Sequence, residues 1–236
     1  MIETLGITGS TNADLAARLA AGEFVPEGFW LVADRQNAGR GRLGRVWNDG
    51  AGNFMGSTVV SLTTHQPAPG SLALVAGLAV QAAVAPLVPP PLVPLLKWPN
   101  DVLVGPAKLA GILLERVGDA VVVGIGVNLA QAPDLPDRQT LALSAYGPAP
   151  DRDGFAISLA AHFASELAHW RTYGLSALIN RWQGAAHPLG TPLTVANGAN
   201  PPLSGRFSGL DDTGALRLAL PDGTCRTIHA GDVHLA

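Results

Sequence analysis

The hydrophobic pattern of the chain changes near residue 188. Before that point, long apolar runs alternate with amphipathic stretches, as expected for the strands and helices of an α/β domain. After it, short strand-like stretches are separated by turns of the Asp-Gly type, in "DDTG" and "PDGT". Such a succession of short strands is typical of a small β-barrel or sandwich. The sequence therefore predicts an α/β domain over residues 1–187 and a small all-β domain over 188–236.

Periodicity and turn residues predict the elements of the first domain. Helices are expected over 9–22, 72–85, 154–170 and 175–183, and strands over 29–36, 53–62, 95–104, 108–117 and 120–130. The most membrane-like stretch is "LALVAGLAVQAAVAPLV", at residues 72–88. It is shorter than a bilayer span, contains Gln81 and is interrupted by Pro86, so we expect a buried, alanine-rich helix instead.

Composition limits the classes of function. Lys and Arg number 15 and Asp and Glu 18, for a net charge of −3, which argues against a general polyanion binder. The single cysteine, Cys225, forms no internal disulfide, as is common in a reducing compartment. The N-terminus lacks a basic segment followed by an apolar run. We therefore expect a cytoplasmic protein that neither enters a membrane nor binds specific DNA.

The stretch "GRGRLGRVW", residues 39–47, concentrates arginine and glycine in an otherwise charge-poor chain. Arginine grips phosphate or carboxylate oxygens with a planar set of donors, and glycine lets the backbone approach an anion closely. Composition alone favours an anion-binding loop no more than a solvated loop or an RNA-binding segment. The apolar strands predicted on both sides favour a ligand-binding lid. No Gly-Lys-Ser/Thr follows, which excludes the phosphate loop of nucleoside triphosphatases.

Four further stretches carry polar groups or glycines at unusual places: "STN" at 10–12, "KWPND" at 97–101, "KLAGILLE" at 108–115 and "GIGVN" at 124–128. Each has an ordinary structural interpretation. "STN" caps a helix, "KWPND" forms an Asx turn, and Lys108 is a solvated strand end. The glycines within strands permit close backbone approach by another strand or by a ligand.

Taken together and in this order, these motifs resemble the biotin–protein ligase family, also called biotin–[acetyl-CoA-carboxylase] ligases. The resemblance covers residues 8 to 130. It implies an α/β (α+β) fold like that of class II synthetases, with a mixed, largely antiparallel sheet, packed helices and a small Src-homology-like β-barrel. It also implies that biotin and ATP form biotinyl-5′-adenylate, and that biotin passes to one lysine of a biotin carboxyl carrier protein domain.

The resemblance also implies roles for individual residues. Lys108, Arg40 and Arg42 are the expected catalytic residues, with Arg45 assisting. The expected biotin contacts are Ser10, Thr11, Asn12, Gln36, Gly39, Arg40, Lys108, Gly111 and Gly124. The expected contacts to ATP or the adenylate are Arg40, Arg42, Arg45, Trp47, Asn100, Asp101, Lys108 and Asn128. Mg²⁺ is expected with the triphosphate, held mainly by phosphate oxygens, with Asp101 as the nearest carboxylate.

Three alternatives stay open at this point. A lipoate or octanoate ligase or transferase on the same scaffold would lack the polar set of Ser10, Thr11 and Gln36. A non-catalytic RNA-binding module would use the arginine loop in a salt-sensitive way. An inactive biotin-binding homologue would keep the pocket without the chemistry. Some family members are monomers and others homodimers. Some carry an N-terminal DNA-binding domain, but Ser10 lies almost at the start of this sequence, so we expect no such domain and no repressor activity.

Overall fold

The computed structural model describes residues 1–196 and 201–235. Seven strands form the first sheet: β1 (Ile2–Thr8), β2 (Trp30–Gln36), β3 (Phe54–Ser61), β4 (Pro94–Lys97), β5 (Asp101–Val104), β6 (Ala107–Val117) and β7 (Ala120–Val127). The helices are α1 (Thr11–Ala20), α2 (Leu72–Val84) and α3 (Arg152–Gly184). Five strands form the second sheet: β8 (Pro192–Ala196), β9 (Leu203–Leu210), β10 (Leu216–Ala219), β11 (Cys225–Ile228) and β12 (Asp232–Leu235).

The first sheet has the order β1-β2-β3-β7-β6-β5-β4. Only β1 and β2 run parallel, and every other neighbouring pair is antiparallel. The predicted mixed, largely antiparallel sheet is confirmed. Because side chains alternate along a strand, the residues of β7 face two different layers. Val121, Val123 and Ile125 belong to the large core beneath α2 and α3, whereas Val122 packs with Leu15 of α1.

The two faces of the sheet are covered unequally. The segment Pro69–Leu87 is long and apolar enough to cross a membrane, but 61% of its most apolar window is buried within the protein. Its helix α2 packs against α3, where the Trp170 indole donates to the Ser71 hydroxyl at 2.9 Å. On the other face, α1 covers only part of β3 and β7. The uncovered remainder leaves room for a cavity.

The second sheet is antiparallel throughout, in the order β11-β10-β9-β8-β12. Polar contacts join it to the β4–β5 hairpin of the first sheet. Lys97 Nζ donates to the Val233 carbonyl at 2.7 Å, and the Trp98 indole donates to the Gly214 carbonyl at 3.1 Å. The predicted order of a mixed sheet followed by a small all-β unit is confirmed.

Several element predictions differ from the structure. Strand β1 was not expected, because it is a half-exposed edge strand without a clear apolar alternation. The stretch 95–104 is a hairpin of β4 and β5 rather than one strand. The last strand-like stretch, "CRTIHAGDVHL" at residues 225–235, likewise forms both β11 and β12. The helices expected at 154–170 and 175–183 are two parts of α3, separated by Gly174 with φ 75°. Ser10 occupies the N-cap of α1, but its side chain makes no capping hydrogen bond.

Candidate active site

Glycines form the floor of the cavity on the uncovered face of the sheet. Gly111 of β6 pairs with Gly126 of β7 on one side and with Asp101 of β5 on the other. A Cβ at Gly126 would lie 2.3 Å from the Trp47 ring, and one at Gly111 would lie 3.0 Å from it. Side chains at these positions would therefore displace Trp47. The strand glycines of the sequence motifs allow an indole to lie directly on the backbone.

Asp101 lies between two lysines next to this floor. Its Oδ1 is 2.6 Å from Lys108 Nζ and its Oδ2 is 3.1 Å from Lys97 Nζ. Burial opposes ionisation of Asp101, but the two ammonium groups outweigh it and hold the pKa of the carboxyl below its ordinary value. The carboxylate therefore stays charged and holds Lys108 in place. Both carboxylate oxygens are occupied, so the structure lends no support to Asp101 as a metal ligand.

The arginine–glycine stretch forms a small hairpin over the cavity. Arg40 and Val46 form an antiparallel bridge, and the Trp47 N–H donates to the Gly39 carbonyl at 3.0 Å. A Cβ at Gly39 would lie 2.6 Å from the Trp47 carbonyl oxygen, so this close approach requires glycine. At the tip, Leu43 has φ 58° and is 73% exposed. The hairpin is thus joined at its base and open to solvent at its tip.

The three arginines of the hairpin have different partners. Arg40 Nη1 lies 3.9 Å from Glu115 Oε1, and Arg45 pairs with Asp232 of β12. Arg42 forms no ion pair within the described residues, and its Nη1 donates to the neutral Asn100 Oδ1 at 3.1 Å. Burial lowers the pKa of the Arg42 guanidinium, although the Asp101 and Asp232 carboxylates oppose the shift. Arg42 is therefore a half-buried cation that has no bonded counter-ion in the part of the chain that the structure describes.

A cluster of polar side chains closes the end of the cavity beside α1. The Thr11 N–H donates to Gln36 Oε1 at 2.7 Å, and the hydroxyls of Thr11 and Ser57 are 2.7 Å apart. Ser57 also donates to Asn12 Oδ1 at 2.6 Å. The Ser10 side chain lies beside them without a capping role. Buried polar groups of this kind define a fixed pattern of donors and acceptors.

Two asparagines shape the opposite end. Asn100 Nδ2 donates to the Ile112 carbonyl at 2.8 Å, so its amide links β6 to Arg42. Asn128 Nδ2 donates to the Leu141 carbonyl at 3.1 Å and holds the following loop against the cavity. The Trp47 indole N–H is buried and has no hydrogen-bond partner among residues 1–196 and 201–235. It is a donor available at the cavity wall.

The cavity has a volume of about 460 Å³, within the range of small-molecule sites. It brings together almost the whole predicted set: Ser10, Thr11, Asn12, Gln36, Arg40, Arg42, Arg45, Trp47, Asn100, Asp101, Lys108, Gly111, Gly124 and Asn128. Gly39 does not line the cavity, but it permits the close approach of Trp47 at the base of the hairpin. Arg138 and Asp232 line it as well and were not predicted, because neither lies in a distinctive motif.

A model of the biotin/lipoate A/B protein ligase family matches residues 10–129, and a model of the biotin protein ligase C-terminal domain matches residues 190–235. The chain therefore belongs to the biotin/lipoate A/B protein ligase family.

Among curated relatives, the biotin–[acetyl-CoA-carboxylase] ligase of Paracoccus denitrificans is 41% identical over 230 residues, covering 93% of this chain and 94% of the relative. The enzyme of the same name from Mycobacterium tuberculosis is 38% identical over 238 residues, covering 98% and 88%. Among solved structures, a biotin protein ligase from Aquifex aeolicus in complex with biotin and ATP has a TM-score of 0.85 and 26% identity. The match covers 100% of this chain and 99% of that one.

Proposed function

We propose that this chain is a biotin–[acetyl-CoA-carboxylase] ligase. It activates biotin with ATP to biotinyl-5′-adenylate and transfers biotin to a lysine of a biotin carboxyl carrier domain. The observation that carries this proposal is Arg42, a half-buried guanidinium without an ion-pair partner among the described residues. Such a cation is costly unless an anion reaches it, and a triphosphate or a carboxylate meets that requirement.

The first step joins two anions, because the biotin carboxylate attacks the α-phosphate of ATP and pyrophosphate leaves. Concentrated positive charge lowers this barrier, and Lys108, Arg40, Arg42, Arg45 and Arg138 supply it around the cavity. Lys108 must leave Asp101 to meet the reacting oxygens. Lys97 stays bonded to the other oxygen of Asp101, so the carboxylate keeps a counter-charge when Lys108 moves.

The biotin ring lies, in this proposal, between the polar cluster of Ser10, Thr11, Asn12 and Gln36 and the glycine floor. Its tail passes Gly111 and Gly124 to Lys108. The adenylate lies towards Trp47, Asn100, Asp101 and Asn128. In the second step the neutral carrier lysine attacks the acyl carbon, the acyl–phosphate bond breaks, and AMP leaves with the bonding pair. The lysine proton passes to solvent.

Magnesium is expected to enter with ATP. The described residues contain no group of three or more His, Cys, Asp or Glu arranged to hold a metal ion. The three acidic residues that line the cavity, Asp101, Asp137 and Asp232, are each paired with a cationic side chain. Among the described residues that line the cavity no carboxylate is therefore free for a metal, and phosphate oxygens and water would have to hold it.

Other features are part of the same proposal. The boundary between a catalytic domain and a C-terminal domain is placed at residue 188, between α3 and β8. The carrier partner belongs to acetyl-CoA carboxylase or a related carboxylase, and the reaction takes place in the cytoplasm. A homodimer is compatible with the family.

The decisive experiment incubates the purified chain with ATP and either biotin or lipoate, and identifies the adenylate by mass spectrometry. Biotinyl-5′-adenylate with biotin, and no lipoyl-adenylate, supports the proposal. Lipoyl-adenylate alone would assign the chain to the lipoate branch of the family. No adenylate with either acid would leave an inactive binding protein.

A further inference from the structure

A chain of hydrogen bonds runs from Glu115 on β6 to the cavity. Asn12 Nδ2 donates to Glu115 Oε2 at 2.7 Å. A carboxylate only accepts, so its position forces the NH₂ end of the Asn12 amide towards Glu115. Arg40 Nη1, 3.9 Å from the other carboxylate oxygen, keeps positive charge beside this end of the chain. The Asn12 carbonyl oxygen must then point the opposite way.

Ser57 links the Asn12 amide to the Thr11 hydroxyl through two hydrogen bonds. Its hydroxyl lies 2.6 Å from Asn12 Oδ1, which only accepts, so Ser57 uses its one hydrogen there. Towards the Thr11 hydroxyl, 2.7 Å away, Ser57 is therefore the acceptor. Ser57 is 0% exposed, so water does not substitute for either bond. The carboxylate of Glu115 and the carbonyl oxygen of Asn12, which only accept, therefore fix which group donates in each hydrogen bond.

Thr11 is the end of the relay at the cavity. Its hydroxyl hydrogen goes to Ser57, and its backbone N–H donates to Gln36 Oε1 at 2.7 Å. The Thr11 hydroxyl is also 3.2 Å from Gln36 Oε1, a longer and weaker alternative. Thr11 consequently presents a lone pair to the cavity, and Gln36 keeps its amide N–H groups for donation. An acceptor beside a donor complements a ligand that carries N–H beside C=O.

The sheet is built to hold the relay. Ser57 pairs across the sheet with Gly124, and a Cβ at Gly124 would lie 2.2 Å from Asn12 Oδ1. Gly124 was predicted as a contact along the biotin. In the structure Gly124 also makes room for the relay, because the absence of a side chain there leaves the space that the Asn12 amide occupies.

We propose that Ser57 and Glu115 are positioning residues. They make the Thr11 hydroxyl an acceptor on its cavity side and so select ligands that place a ring N–H beside it. This inference rests on the proposed function, in which the ligand group is the cyclic urea of biotin. A site with a fixed acceptor strongly rejects an analogue that presents an acceptor in the same position.

The test measures the dissociation constants of biotin and of its two cyclic carbamate analogues, in which oxygen replaces one ring N–H or the other. For the wild type, we expect one carbamate to bind about 100-fold or more weakly than biotin. In Ser57→Ala, the Thr11 hydrogen is free to turn to the ligand oxygen. The dissociation constant of that carbamate divided by that of biotin should then fall at least about tenfold.

Thr58→Val is the matched control. Thr58 lies beside Ser57 on β3, is equally buried, and donates to the Phe29 carbonyl at 2.7 Å, outside the relay. Its variant should keep the wild-type ratio. Glu115→Gln is the second variant, at a side chain 31% exposed, and it serves if Ser57→Ala does not fold. A carboxamide turns either end to Asn12, so the ratio should fall here too.

An unchanged ratio in a folded Ser57→Ala or Glu115→Gln protein would overturn the relay, even if both biotin and the carbamate bind more weakly to the variant. The proposed function is tested separately, because the wild type either forms biotinyl-adenylate or does not. Normal adenylate formation with unchanged ratios would refute the relay alone.

Discussion

Arg45 of the glycine-rich hairpin and Asp232 of β12 form a two-point ion pair across the cavity mouth, with Nη1 3.1 Å from Oδ1. The Asp232 hydrogen bond raises the pKa of Arg45. Exposed ion pairs add little to global stability, but this one joins a loop to a separate sheet. The effect of the Arg45–Asp232 pair is mainly local, since it holds the arm of the hairpin that carries Arg45 against β12.

We predict that Asp232→Asn increases cleavage of the hairpin by trypsin in the absence of ligand, several-fold. The neutral amide no longer holds the Arg45 guanidinium, so the loop opens more often. Asp212→Asn, at an exposed turn of the same sheet, is the control. Equal cleavage of the wild type and Asp232→Asn would show that the pair does not restrain the loop.

The same carboxylate predicts an acid dependence of stability. Burial raises the cost of ionising Asp232, but Arg45, His234 and Arg138 outweigh it and lower its pKa from 3.8 to about 2. A group whose pKa is lower in the folded state stabilises the fold above its unfolded pKa and loses that effect as the pH falls. The melting-temperature difference between wild type and Asp232→Asn should shrink as the pH falls from ~4 towards ~2. A difference that grows on acidification would contradict the assignment.

Lys108→Met should lower the rate of biotinyl-adenylate formation by at least about 100-fold, because the variant loses the cation closest to the reacting oxygens. Lys97→Met provides the matched control. Each substitution removes one of the two ammonium groups on Asp101, so both should lower the melting temperature. Of these two lysines only Lys108 lines the cavity, so Lys97→Met, which removes the second counter-charge of Asp101, should lower the rate of adenylate formation much less than Lys108→Met does. Normal adenylate formation by a folded Lys108→Met protein would refute the role given to Lys108.

Gly126→Ala should weaken biotin binding by at least about tenfold and shift the fluorescence of Trp47. The new methyl group would lie 2.3 Å from the indole in the middle of a sheet, so the ring must move. Gly6→Ala on β1 tests whether any strand glycine behaves this way, because a Cβ there meets nothing within 4 Å. Similar effects of both substitutions would indicate general destabilisation rather than displacement of Trp47.

Biotin and ATP together should slow proteolysis within residues 39–47. The adenylate is a mixed anhydride that water destroys, so the hairpin must close over it, and its exposed tip at Leu43 has room to do so. Trypsin cleavage after Arg40, Arg42 and Arg45 is compared with cleavage elsewhere, with biotin alone as control. Equal rates with and without both substrates would count against a lid.

The sequence predicted which residues lie together around the cavity better than it predicted the edges of the fold. Lys108, Asn100 and the arginines lie in motifs whose order along the chain is specific, and antiparallel pairing of β5, β6 and β7 brings those motifs side by side. The N-terminal strand β1 has no such signal, because an edge strand with two half-exposed faces needs no regular apolar alternation.

Arg138 and Asp232 were missed for a different reason. Both reach the cavity through tertiary packing of segments far apart in the chain, and their neighbours in sequence carry no unusual pattern. Ser57 was missed because a serine within a β-branched strand is an ordinary residue until its partners are known. The polar relay becomes visible only when α1, β3 and β6 are placed together.

The glycine floor sets a limit on how this site can change. Gly111 and Gly126 are already the smallest residues, so mutation at these two positions narrows the cavity and never widens it. Acceptance of bulkier acids must therefore arise elsewhere in the lining, for example at Trp47 and the hairpin that lie opposite the floor. The floor of the pocket is thus closed to evolutionary enlargement, and new substrates can be admitted through changes in the other lining residues.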